Sequence, residues 1–449
     1  MEKDLTQGSV IKSMLLFAGP MILGNLLQQC YNIADTLIVG RYLGSDALAG
    51  VGSAYTLMTF LNSVIIGLCM GSGSVFSVCF GKNDRRKMKD CMAASFLFIA
   101  AVTIVINVLA FAGISSVLHI LQVPAEVYGL MKEYVRIIFC GIFFVFLYNY
   151  FAFLLRGIGN SVVPLYFLGI AAILNISLDL LFVVVFNMGV AGAALATVIA
   201  QAVSGIGISV YVWVREPELR PGPENYIVRK KILAEIVRHS TAACIQQSVM
   251  NFGILMIQGL VNSFGAAVMS AFAAAVKIDS IAYMPAQEFG NAFSLFVSQN
   301  HGGGKKERVR EAIRQAVKIS TAFCLMASAV IFVLAPYLMR LFVTGSKKEI
   351  IGIGADYLRI EGSFYCGIGI LFLLYGFCRG IEKPEMSLVL TIISLGTRVL
   401  LAYMLSSVSS IGVLGIWWSI PVGWFLADLA GMLYIRKQYK RKEEDLTTG

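Results

Sequence analysis

The sequence predicts an all-α polytopic membrane protein, with twelve transmembrane helices in two six-helix lobes related by a pseudo-two-fold axis along the membrane normal. Three observations carry that expectation. The chain is 58% hydrophobic and only 14% charged over 449 residues, with a mean hydropathy of +0.78; a water-soluble exterior would leave too little polar surface to show. Apolar runs of about 20 residues, the length that crosses a hydrocarbon core, recur along the whole chain. Short stretches of the first half also return in the second at a fixed separation.

The helices are expected to start near residues 13, 52, 92, 131, 162, 190, 237, 270, 313, 355, 385 and 413. The polar start MEKDLTQGSVIK leads directly into the first span, so no cleavable signal segment is expected. Alternate connections are basic: KNDRRKMK after the second span, residues 215–231 after the sixth, GKKERVR after the eighth, and the tail RKQYKRK. The opposite connections, such as FNMGV and VNSFGAA, are mostly uncharged; the ninth-to-tenth loop, with Lys347 and Lys348, is the exception. Lysine and arginine mark the cytoplasmic face, which places both termini inside. The net charge of +10 then reflects topology. No aromatic platform interleaves the basic loops, so nucleic acid is not the expected partner.

The repeat is visible residue by residue. EYVRIIFCG (133–141) resembles DYLRIEGSF (356–364), and Arg136 and Arg359, Arg156 and Arg379, Gly189 and Gly412 all stand 223 apart (379 − 156 = 223). The expected organisation is an N-terminal lobe over 1–214, a proline- and charge-rich cytoplasmic linker over 215–236, and a C-terminal lobe over 237–449. An even number of helices per lobe gives the two copies one orientation.

Within the first lobe, LNISLDL (174–180) places Asn175 and Asp179 four residues apart on one face of an otherwise apolar helix. Gln28, Tyr31, Asn32 and Asp35 form a polar face on the first span, and Thr197 and Gln201 another on the sixth. An ionised aspartate at mid-membrane costs about 2.5–3.5 kcal/mol, so it must face protein or water. Counting roughly 1.5 Å per residue, Asp35, Asp179 and Thr197 reach a similar depth in the outer half of the bilayer. The repeat acts as an internal control. Asn175 falls on Arg398 (398 − 175 = 223), Asp179 on Ala402, Thr197 on Ile420, and Asp35 opposite Met256. Acids needed to build the scaffold would recur in both copies. Their absence from these second-lobe positions assigns them to function: oxygens for a sodium ion, or a carboxylate pair that shares a proton.

GNLLQQCYNIADTLIVGRYLG, LLRGIGNS, ILNISLDLLFV and GVAGAALATVIAQ together resemble the multidrug and toxic compound extrusion (MATE) family, nearest its DinF-like branch. The resemblance implies a proton- or sodium-driven antiporter that exports organic, often cationic, compounds by alternating access. Carried over by position, it implies a cation-coupling site at Asp35, Asn175, Asp179 and Thr197, drug contacts at Gln28, Tyr31 and Asn149, and a gating kink at Pro20, where proline removes a backbone hydrogen bond. The seventh-helix glutamate of the NorM-like branch is replaced here by STAACIQQSVM, with Gln246 and Gln247.

Among other charges, Glu288, after Pro285, reads as a lone acid able to attract cationic substrates. Arg156 and Arg379 read as interfacial anchors, and Asp428 as water-exposed. Lys277 and Asp279, two apart, cannot face each other on a helix. No enzyme motif, bound cofactor or resident metal is expected. The partners are small organic substrates and membrane lipids, and one chain suffices for a pathway. A lipid or lipid-linked oligosaccharide flippase of the same wider superfamily is the alternative reading.

Overall fold

The computed structural model describes residues 4–120, 125–227, 229–342 and 348–447. Among them the regular structure is helical: α1 (Val10–Tyr42), α2 (Ser45–Gly81), α3 (Arg85–Ile120), α4 (Ala125–Gly157), α5 (Val162–Asp179), α6 (Gly189–Arg215), α7 (Lys230–Asn262), α8 (Ala266–Gly302), α9 (Lys306–Phe342), α10 (Lys348–Gly362), α11 (Tyr365–Gly380), α12 (Pro384–Ser406) and α13 (Val413–Thr447). In lipid every backbone N–H and C=O must be satisfied within the segment, and a helix achieves that alone. Among the described residues eleven helices are long and apolar enough to span, and α10 with α11, bent by 53° at their junction, makes a twelfth when the pair is counted as one span.

That bend corrects one expectation, since the tenth span reads from sequence as a single helix from near residue 355. The helix ends instead at Gly362, where the Ser363 hydroxyl donates back to the Arg359 carbonyl at 2.6 Å. Several helices also begin about two turns before their apolar runs: α3 at Arg85, α7 at Lys230 and α9 at Lys306. Hydropathy marks where a helix enters hydrocarbon, while backbone bonding continues into the charged first turns. The helical start of α7 accordingly takes residues 230–236 from the expected linker. Lys347 lies outside the described residues.

The chain divides into two compact units. One comprises Met1–Gly8, Leu15–Gln247 and Ser298–Lys305, the other Ser9–Met14, Ser248–Val297 and Lys306–Gly449. In the first, the polar start is not a loose tail. Leu5 is fully buried, its N–H donates to Gln299 Oε1 at 3.1 Å and its carbonyl accepts from Asn300 Nδ2 at 3.2 Å. Gln299 Nε2 in turn donates to the Gly157 carbonyl at the end of α4, at 2.8 Å. The segment after α6 is docked as well: Asn225 donates to Asp90 of α3 at 2.6 Å, and Leu219 is buried. Replacing Gln299 with Leu would orphan a buried N–H and a buried C=O together, at about 1–3 kcal/mol each. Thermal unfolding of Gln299→Leu in detergent is expected to show a lowered Tm, with Gln299→Glu intermediate because it keeps the acceptor.

Helix faces follow their surroundings. On α5, Tyr166, Ile170 and Ile173 at i, i+4 and i+7 are exposed, Ile173 by 71%. The inner face holds Ala171, Ala172, Asn175 and Asp179. Large apolar side chains exposed in this number suit a lipid-facing surface. The inner face is where the polar residues collect.

Candidate functional site

α5 delivers its two polar side chains through an irregularity. The α-helical pattern ends at Asp179 and continues as a π turn over Leu180–Val185, with the Phe186 N–H bonded to the Leu181 carbonyl at 2.9 Å. Such one-turn widenings recur at functional sites. The chain then reverses through Asn187 (φ 52°) and Gly189 (φ 62°) into α6. This tight return sets Thr197 of α6 beside α5, where Asn175 Nδ2 donates to Thr197 Oγ1 at 3.3 Å.

The structure brings the expected cation residues together. Asp179 is 0% exposed and Asn175 2%, while Asp35 of α1 and Thr197 are half-buried. Asp35 and Asp179 lie within electrostatic reach of each other, and both within reach of the Tyr134 hydroxyl on α4. Asp35 Oδ1, Asn175 Oδ1 and both carboxylate oxygens of Asp179 are all buried without a hydrogen-bond partner. Buried polar atoms are nearly always partnered, and all four of these are acceptors. A proton or a hard, oxygen-seeking cation is the chemistry that answers an acceptor-only cluster. Among the described residues no group of three or more His, Cys, Asp or Glu could hold a metal, so two carboxylates, an amide and a hydroxyl form the donor set.

The expected drug contacts are less uniform. Gln28 is exposed and Tyr31 half-buried on the same face of α1 as Asp35. Asn149 spends its amide N–H on the Val145 carbonyl of its own helix, at 2.9 Å. α1 runs through Pro20 as one continuous helix.

In the second unit three expectations are corrected. Glu288 is not a lone acid: Asn291 Nδ2 donates to its Oε1 at 3.3 Å, and Asn291 Oδ1 accepts from Arg379 Nη2 at 2.9 Å. Arg379 is 4% exposed, no interfacial anchor, and Asp428 is 5% exposed, not in water. Helix packing, which hydropathy cannot register, turns both inward. Nor is this unit without acids at its heart. Asp279 accepts from the Tyr365 hydroxyl at 2.6 Å, and Glu361 is 2% exposed, so the unit carries carboxylates at positions other than those matching Asp35 and Asp179. Lys277 is exposed. Tyr134 and Glu361 are the residues the sequence reading passed over. Tyr134 had a signal, because it pairs with Tyr357 in the repeat (357 − 134 = 223).

The profile of the MatE family matches residues 20–181 and 242–404. Over 435 residues, 96% of each chain, the sequence is 33% identical to the "Probable multidrug resistance protein YpnP" of Bacillus subtilis. It is 29% identical over 419 residues to the "Probable multidrug resistance protein NorM" of Thermotoga maritima, covering 90% of this chain and 88% of that one. In fold it matches a MOP superfamily transporter from Pyrococcus furiosus with a TM-score of 0.91 at 24% identity, over 97% of each chain.

Proposed function

Because the chain belongs to the MatE family of membrane transporters, we propose that it is an antiporter exporting organic, often cationic, compounds in exchange for a proton or sodium ion taken up at Asp35 and Asp179. The observation that carries this reading is the buried, acceptor-only oxygen cluster on α1, α5 and α6. An empty pair of buried carboxylates is costly, and an incoming cation relieves it. Filling the site changes its charge and its hydrogen bonding. The neighbouring face of α1, with Gln28 and Tyr31, repacks about Pro20 and releases the substrate. Loss of the cation to the cytoplasm restores the substrate-binding state, so the two ligands alternate at one lobe. Both termini are cytoplasmic in this reading, from the basic connections.

One charge crossing 100 mV is worth about 2.3 kcal/mol. Exchange of one monovalent cation for one monocationic substrate moves no net charge, however, so only the ion's concentration ratio drives it. The test therefore imposes proton and sodium gradients separately on proteoliposomes loaded with a fluorescent organic cation. Transport that follows one gradient names the coupling ion; transport under neither overturns the reading. The curated relatives carry multidrug-resistance names, which favours drug export over the flippase alternative.

Asn175 orients rather than neutralises. Asn175→Ala removes a neutral oxygen and the restraint on Thr197, a neutral hydrogen bond worth about 0.5–1.5 kcal/mol. Its expected signature is a roughly three- to tenfold rise in the ion concentration giving half-maximal transport, with the maximal rate largely kept, read from initial rates across an ion series.

A further inference from the structure

The second unit holds a cavity of its own, lined by residues other than the coupling set of the first. Its space, with the open solvent before it included, comes to about 670 Å³, and Asp279, Glu361, Arg398, Tyr357, Phe372 and Trp424 are among the residues that line it. The three charged side chains are nine-tenths or more buried: Asp279 3% exposed, Glu361 2%, Arg398 9%. Charged side chains at membrane depth mark functional sites by default. Glu361 Oε2 and Arg398 Nε are both buried without a hydrogen-bond partner. The site thus presents an unanswered acceptor and an unanswered donor together, unlike the acceptor-only cluster of the first unit.

Charge arithmetic narrows the occupant. Tyr365 donates to Asp279 at 2.6 Å, and Asp279 and Glu361 are buried on the lining of one cavity; two carboxyl groups buried side by side do not both ionise, so the pair holds one proton. Together they carry one negative charge, and the Arg398 guanidinium, within electrostatic reach of both, carries one positive. The lining is neutral as it stands. Adding a cation or an anion would leave an uncompensated buried charge, which is expensive; adding a zwitterion would not. Guanidinium takes a carboxylate in bidentate fashion, and the carboxylate side with the faces of Tyr357 and Trp424 suits an ammonium.

We propose that this cavity is a binding site for small zwitterions with an aromatic body, the carboxylate held by Arg398 and the ammonium by Glu361 and Asp279. The proposal goes beyond the export reading above, whose substrate leaves from the face of α1, and does not rest on it. Binding without any gradient tests the cavity, while gradient-driven export of an organic cation tests that reading, so the two fail separately.

Isothermal titration of the purified full chain at neutral pH would compare phenylalanine, its methyl ester (cation only) and N-acetylphenylalanine (anion only). Phenylalanine is expected to bind at least tenfold more tightly than either derivative. Arg398→Gln and Glu361→Gln should each weaken it at least tenfold, and Arg398→Lys should restore part of the loss, which a collapsed fold would not. The Asp35→Asn, Asp179→Asn double variant should bind phenylalanine as the unaltered chain does. Equal affinity for all three compounds, absence of phenylalanine binding, or its loss only in the Asp35, Asp179 variant would each overturn the proposal.

Discussion

Asp179→Asn is expected to abolish gradient-driven export, at least 100-fold below the unaltered chain in proteoliposomes, while a fluorescent organic cation still binds the purified protein. The reason is the position of the side chain. Asp179 is fully buried, and both its oxygens lack a protein partner, so no other side chain stands in for its charge. An asparagine fits the same space but offers one neutral oxygen, neither titrates nor cancels a cation's charge, and so removes the electrostatic difference between the filled and empty states. A ligand shifts an equilibrium only by its differential affinity for the two states. Asp35→Asn should do the same more weakly, because Asp35 is half-buried and water can serve in part. Normal export by Asp179→Asn would make LNISLDL a structural network.

Gly71→Leu is expected to prevent recovery of monodisperse protein, whereas Gly113→Leu, at a position with no heavy atom near its Cβ direction, should be recovered normally. α2 and α7 cross with their backbones almost in contact. A Cβ at Gly71 would overlap the His239 carbonyl, and one at Gly67 would stand 2.5 Å from Cys244 Cα. Ser72 and Ser240 hydroxyls bond across the same crossing at 2.8 Å. Overpacking ordinarily costs about 1–3 kcal/mol. Here the obstacle is backbone in a packed helix pair, which has no rotamer to move to, so the cost should exceed that range and approach the total stability of a typical domain, about 5–15 kcal/mol. Size-exclusion profiles of the two variants decide it, and similar profiles would mean that the crossing tolerates a side chain.

Much of this was legible from the residues. Hydropathy and charge asymmetry expose the spans because the bilayer imposes length and polarity on each segment separately. The polar faces of α1, α5 and α6 are legible for a related reason: an aspartate in an apolar run costs too much to be incidental, and spacing assigns it a face. The Gly67, Gly71 pair belongs to the other class, since only the structure sets it against α7.

The rest depended on packing between segments distant in sequence. No local pattern distinguishes Arg379, buried against Asn291, from Arg156 on the corresponding stretch, since the same charge near a helix end suits water or a partner equally. The break after Gly362 and the π turn after Asp179 arise from backbone bonding that hydropathy does not record, and both set the direction of a charged side chain. Sequence by itself determined that the chain is built of apolar helices long enough to span a membrane and carries acids where none should rest unused, because solvation cost is paid residue by residue. Only the tertiary structure decided which charges meet, joining Asp279, Glu361 and Arg398 at one cavity, because an electrostatic partner is chosen by distance in space and not along the chain.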